Sequence, residues 1–199
     1  MKHSKFASFA SVFFAMIFLT TSYADMIVDT TESGEIMLFN FPEMKNMDNW
    51  LIVNDGVMGG LSKSKFILSD SGTAIFSGNV TLENNGGFAS TRTKAMRFQL
   101  DGFKGIQIRV KGDGKKYQFR IRTNDRFDGI SYRHHFETRL NQWQTISIPF
   151  NEFVPVFRGR VLRDVEPISP KDIQQLGILI SDKQIGEFQL EIQWIKSYQ

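Results

Sequence analysis

The stretch Trp50 to Phe66, WLIVNDGVMGGLSKSKF, and its continuation Ala74 to Arg92, AIFSGNVTLENNGGFASTR, decide how the rest of the chain is read. In each, short apolar runs flank a polar loop: Asn54 to Gly60 in the first, Glu83 to Gly87 in the second. Glycine reaches positive φ without steric cost, and short Asn, Asp and Ser side chains bond back to nearby backbone. Such loops between apolar runs predict β-strands joined by connections of fixed shape.

The same strand-and-turn grammar extends in both directions. Upstream, Glu35 to Phe41 (EIMLFNF) is a strand ended by Pro42, and Trp50 to Val53 is a second. Ser64 to Leu68, Ala74 to Leu82 and Phe88 to Arg92 follow. Farther on, Ile106, Ile108 and Val110 alternate with Gln107, Arg109 and Lys111. Past Gly112-Asp113-Gly114, the residues Tyr117, Phe119 and Ile121 alternate with Gln118, Arg120 and Arg122. Period-two patterning on both sides of a glycine turn predicts a β-hairpin with one buried and one wet face. Ser131 to Thr138, Trp143 to Pro149, Leu176 to Ile180 and Phe188 to Ile195 complete the strands. One short helix is expected, capped by Ser169 and opened by Pro170, with Asp172 third. Strands recurring roughly every 8–12 residues, with no long 3.6-residue period, predict an all-β, antiparallel, jelly-roll-like β-sandwich.

The ends and the composition bound the rest. Lys2, His3 and Lys5 precede an apolar run from Phe6 to Leu19, and Ser22-Tyr23-Ala24 supplies a small-residue cleavage signal. That pattern predicts a signal peptide over 1–24, a polar leader over 25–34 and a single domain over 35–199. Export to the periplasm is the expected localisation, with no membrane span in the remainder. Removing Lys2 and Lys5 from the 24 basic residues leaves 22 against 21 acidic ones, a net charge of +1. Bulk charge therefore gives no case for nucleic acid. The absence of cysteine excludes disulfides, thiolate metal sites and cysteine nucleophiles.

Six motifs in order carry a resemblance: WLIVNDGVMGGLSKS, FSGNVTLENNGGFASTR, VKGDGKKYQFRIRT, WQTISIPF, FVPVFRGR and LGILISDKQIGEFQLEIQWI. Spanning about Trp50 to Ile195, they resemble the complex I intermediate-associated protein family. The resemblance implies a galactose-binding-domain-like β-sandwich, in agreement with the strand reading. It also implies an assembly role, since mitochondrial members assist assembly of respiratory NADH dehydrogenase. Two departures stand out. The N-terminus reads as a bacterial-type export signal rather than an Arg-rich transit peptide, and there is no counterpart of the NAD-binding domain that some plastid relatives carry.

Candidate site residues fall into groups, each with a functional and a structural reading. Asn54, Asp55, Glu83, Asn84 and Asn85 sit in or beside the glycine loops and could converge on a ligand; alternatively they bond their own turns. Arg92, Arg120, Arg122, Tyr132, Trp50 and Trp143 offer donors and aromatic platforms for a glycan. Gln107, Arg109, Lys111, Gln118, Arg120 and Arg122 share one face in the hairpin reading, as a cationic patch for an acidic glycan or protein, or as a solvated face. Phe153 to Arg160 offers Phe153, Phe157 and Arg158 as a partner anchor, or closes one end of the sandwich.

Other signals are weak. The GDGKK run from Gly112 to Lys116 lacks phosphate-loop spacing and is followed by a strand. His134 and His135 are strand neighbours pointing to opposite faces and do not make a metal pair. Asn124 to Gly129 misses the spaced calcium-loop pattern. Asn79-Val80-Thr81 matches a glycosylation sequon.

No cofactor, no metal and no catalytic residue is assigned. The expectation is a monomeric, non-enzymatic binding or assembly-factor module with a protein or glycan partner. The alternative is a carbohydrate-binding module or carbohydrate-active enzyme working through Asp55, Glu83 or Glu137, which needs two carboxylates roughly 5–9 Å apart.

Overall fold

A computed structural model describes residues 34–199. The expected signal peptide and all but the last residue of the leader lie outside the described residues. The strands are β1 (Glu35–Asn40), β2 (Trp50–Ile52), β3 (Lys63–Leu68), β4 (Ala74–Val80), β5 (Ala89–Thr93), β6 (Gly105–Lys111), β7 (Lys116–Arg122), β8 (Ser131–Glu137), β9 (Trp143–Pro149), β10 (Val154–Phe157), β11 (Arg160–Val161), β12 (Gln175–Ile180) and β13 (Gly186–Tyr198). They form two antiparallel sheets, as the spacing predicts.

The first sheet runs β3-β4-β13-β6-β9, with β1 also on β13. Its spine is the 13-residue β13, whose one edge takes β4 along Gly186–Ile192 and then β1 along Trp194–Tyr198. The second sheet runs β11-β10-β8-β7-β12-β5-β2. Alternation along each strand sends one row of side chains inward. Ile106, Ile108 and Val110 of β6 meet Tyr117, Phe119 and Ile121 of β7 and Leu176, Ile178 and Ile180 of β12 in a fully buried core. Burial of that apolar area, at about 25 cal/mol per Å², is the main stabilising term for a chain without disulfides.

One topological expectation fails. β6 and β7 do not form a hairpin: β6 pairs with β9 and β13, while β7 pairs with β8 and β12. Residues 112–115 form a corner that carries the chain from one sheet to the other. Gly112 sits there because a Cβ would lie 2.3 Å from the Thr138 side chain. Asp113 pins the corner, accepting from Lys115 N (3.1 Å), Tyr117 Oη (3.0 Å) and Gln189 N (3.0 Å). Period-two alternation identifies an inner row, but two such rows can lie side by side or face each other across a core. The expected helix is reduced to one 3-10 turn, Pro170–Asp172, without a side-chain cap bond from Ser169.

Candidate functional site

The two glycine loops meet at one buried carboxylate. Asp55 opens a 3-10 turn, Asp55–Met58, and is fully shielded from solvent. It accepts hydrogen bonds from Ser62 N (3.0 Å), Ser62 Oγ, Gly87 N (2.7 Å) and Phe88 N (3.2 Å), so one side chain ties both loops together. Its glycine neighbours follow from that crowding. A Cβ on Gly60 would lie 2.5 Å from Asp55 Oδ1, and one on Gly86 2.7 Å from Oδ2. Burial is the largest single influence on Asp55 and pushes its pKa up, but the bonds from Ser62, Gly87 and Phe88 together hold it below the ordinary carboxylate value.

Asn54 does similar work, its Oδ1 accepting from Ser64 Oγ (2.7 Å) and Ser90 N (3.2 Å). Asp55 and Asn54 thus hold their own loops instead of presenting themselves to a ligand. Glu83, Asn84 and Asn85 occupy an exposed 3-10 turn, the two asparagines with left-handed φ of 53° and 61°.

Several other candidates lie elsewhere. Trp50 is in the core, 4.8 Å from the Phe66 ring and 5.0 Å from Phe39, and cannot be a sugar platform. Tyr132 faces inward, donating to Glu166 O at 2.9 Å. Because β6 and β7 are in different sheets, Gln107, Arg109 and Lys111 lie on the opposite side of the sandwich from Gln118, Arg120 and Arg122, and the single cationic face is corrected. Trp143 belongs with the former group, under Arg109 and Lys111. Phe153 is buried against Phe119 and Phe150, whereas Phe157 stays exposed beneath Arg158. Glu137 pairs with Lys116 at 3.0 Å, while the Asp55 carboxylate is taken up by Ser62, Gly87 and Phe88. Among the described residues no three His, Cys, Asp or Glu side chains gather to hold a metal. His134 contacts Phe153 and Glu152, while His135 lies on the other face near Asp182.

What the fold does bring together is a set of arginines. The outer face of the seven-stranded sheet carries a cleft of about 660 Å³. Ladder register aligns Arg92 of β5, Gly177 of β12, Arg120 of β7 and Arg133 of β8 in one row across the strands. Gly177 leaves a trough between the first two arginines, where a Cβ would press on Thr91 O at 2.8 Å and Arg92 Cβ at 3.1 Å. Arg122 lies beside that row, and Arg158 reaches the rim, paired to Asp128 at 2.6 Å.

One guanidinium is held firmly. Arg120 grips Gln118 Oε1 with two N–H groups (3.0 and 2.7 Å) and Ser131 Oγ with a third (2.8 Å). Gln118 is fixed in turn by donating to Ser181 Oγ at 2.9 Å. Arg92 is buried beneath the Phe127 ring, 4.7 Å from its centroid. Burial, then the charges of Arg133 and Arg122, push the Arg120 pKa down to about 10 against the opposing pull of Asp182. Burial likewise lowers Arg92 and Arg122. Of the expected residues, Arg92, Arg120, Arg122 and Arg158 therefore converge. Arg133, Phe127 and Gln175 are additions. Arg133 was legible as the outward neighbour of Ser131 in the β8 alternation; Gln175 and Phe127 carried no signal.

The family model described as Complex I intermediate-associated protein 30 matches residues 39–192. A probable mitochondrial complex I intermediate-associated protein 30 of Caenorhabditis elegans is 28% identical over 180 residues, which is 80% of this chain and 53% of that protein. The mouse protein of that name is 28% identical, covering 80% and 55%. An uncharacterized protein of Schizosaccharomyces pombe is 30% identical, covering 81% and 83%. The chain spans about half the length of the worm and mouse relatives. Among solved structures, the family 11 carbohydrate-binding module of Clostridium thermocellum, in complex with a β-1,3-1,4-mixed-linked tetrasaccharide, superposes with a TM-score of 0.62 at 20% identity, covering 84% of this chain and 97% of that one. An agarase domain gives 0.55 at 10% identity, covering 83% and 25%. These structural likenesses establish a shared fold.

Proposed function

The chain belongs to the complex I intermediate-associated protein 30 family, and from that membership we propose that it is a non-enzymatic binding module of the assembly-factor type, holding a protein partner on its glycine loops. One observation carries the reading. The loops joined by Asp55 present Val57, Met58, Leu61 and Leu82, exposed by 57%, 58%, 46% and 41%. Large apolar side chains on loops whose backbone is fixed from beneath form a preorganised contact, which lowers the ordering cost of association. Export through the 1–24 segment is part of the proposal, and sequencing of the secreted protein should begin at Asp25.

The test is affinity capture from the native host with wild type beside a Leu61→Asp, Leu82→Asp double variant. A stoichiometric protein captured by wild type and lost from the folded variant is expected. Equal capture by both, or no partner, overturns it. A second reading, carbohydrate binding, is favoured by the cleft on the outer sheet face of a fold that carbohydrate-binding modules share.

A further inference from the structure

The arginine cleft is built with a charge excess and two loose ends. Its lining holds Arg92, Arg120, Arg122, Arg133 and Arg158 against only Asp128 and Asp182, an excess of three positive charges. Asp128 is committed to Arg158, and none of the other four arginines forms an ion pair among the described residues. Crowding like charges on a partly desolvated floor costs free energy, which an entering anion returns.

The loose ends say more about that anion. Arg92 and Gln175 are only 8% and 5% exposed, and both line the cleft. Arg92 Nε, a donor, and Gln175 Oε1, an acceptor, have no partner in the protein, while the other end of the Gln175 amide donates to Thr93 O at 3.1 Å. A buried donor left unpaired asks for an acceptor, and a buried acceptor asks for a donor. A ligand with a carboxylate and hydroxyl groups close together supplies both, and a planar carboxylate suits the guanidinium fork. The cleft volume falls in the range of roughly 300–1,000 Å³ typical of small-ligand sites.

We propose that this cleft binds a hexuronate, a sugar with a planar carboxylate beside hydroxyl groups, as a free acid or as a unit of an acidic glycan. The carboxylate lies against Arg92 and Arg122, and a hydroxyl group donates to Gln175 Oε1. Both unpaired atoms are buried, so the ligand enters by turning the Arg92 guanidinium or by lifting Phe127, a residue 63% exposed, from over it. The inference rests on the outer sheet face being a ligand surface; Val57 and Met58 of the first loop also border this cleft, whereas Leu61 and Leu82 do not.

Calorimetric titration of the folded chain with galacturonate, trigalacturonate, neutral galactotriose, sulfate and hexaglutamate tests it. Galacturonate or trigalacturonate should bind, more weakly as salt rises. Binding by trigalacturonate alone would identify the glycan as the source. Galactotriose, sulfate and hexaglutamate should each bind at least about tenfold more weakly, and Arg122→Gln should cost roughly tenfold or more. Arg92→Gln should act alike; if that buried variant does not fold, the half-buried Arg122 carries the test. Equal affinity for galactotriose would make the arginines scaffolding. Equal affinity for hexaglutamate would make the cleft an acidic-peptide site, and equal affinity for sulfate a simple anion site. Those results, or no binding at all, overturn the proposal. The Leu61→Asp, Leu82→Asp variant, altered outside the cleft, should bind galacturonate like wild type, so failure here and failure of partner capture are read separately.

Discussion

Replacing Asp55 by alanine should destabilise the protein more than any other single polar substitution in the loops. The carboxylate is fully buried and accepts three backbone N–H groups and one hydroxyl from three residues on two loops. Each buried donor left unpaired costs about 1–3 kcal/mol. Water entering the vacated space will satisfy some of them, so a net loss of about 3–5 kcal/mol is expected. At about 2–4 °C per kcal/mol for a chain of this size, Tm should fall by roughly 6–20 °C. Thermal unfolding followed by circular dichroism reads this directly, with exposed Glu83→Ala as a control that should leave Tm unchanged. The pH dependence adds a second readout. The folded pKa of Asp55 is depressed, so its contribution is present above the unfolded value of about 3.9 and is lost as pH falls through the lower folded value. Wild type should therefore lose stability below about pH 4 more steeply than Asp55→Asn. A Tm for Asp55→Ala within about 2 °C of wild type would refute the idea that this residue fastens the loops.

Three further outcomes follow from other parts of the fold. Gly78→Ala should destabilise by about 1–3 kcal/mol in urea titration, because its Cβ would lie 2.1 Å from the Lys63 carbonyl across the β3–β4 ladder. His135 has its pKa lowered, first by burial and then by Arg133, Lys116 and Arg120 against the pull of Asp182. The unfolded chain thus binds that proton more readily, so stability should decline as pH falls through about 6.5, and His135→Gln should flatten the decline. Phe76→Ala should cost about 3–5 kcal/mol in the same urea titration, since its ring is fully buried between Phe66 and Phe188.

The strands were legible because alternation is a local property: Ile106, Ile108 and Val110 declare an inner row whatever they face. The partner of that row was not legible. Gly112-Asp113-Gly114 suits a tight hairpin, and only the contacts of Thr138, Tyr117 and Gln189 make it a corner between sheets. The candidate site split along the same line. Arg120 and Arg122 were visible as outward residues of β7, and Arg133 was visible in β8, but the row joining them to Arg92 exists only through β12, with Gly177 as its gap. Asp55 shows the converse. Its chemistry suits a ligand, yet Ser62, Gly87 and Phe88 direct four hydrogen bonds to it inside the protein, and those residues lie up to 33 positions away.

The assembly-factor reading is tested most directly by crosslinking from the loop tip. A photoreactive residue at position 58 should trap one defined protein in the native host, and the product should vanish when Leu61 and Leu82 are changed to Asp. The same probe at Lys65, on the outer side of the six-stranded sheet, should trap nothing specific. A product from position 58 that survives the double substitution, or appears equally from position 65, would contradict the claim that the loops fastened by Asp55 form the partner surface.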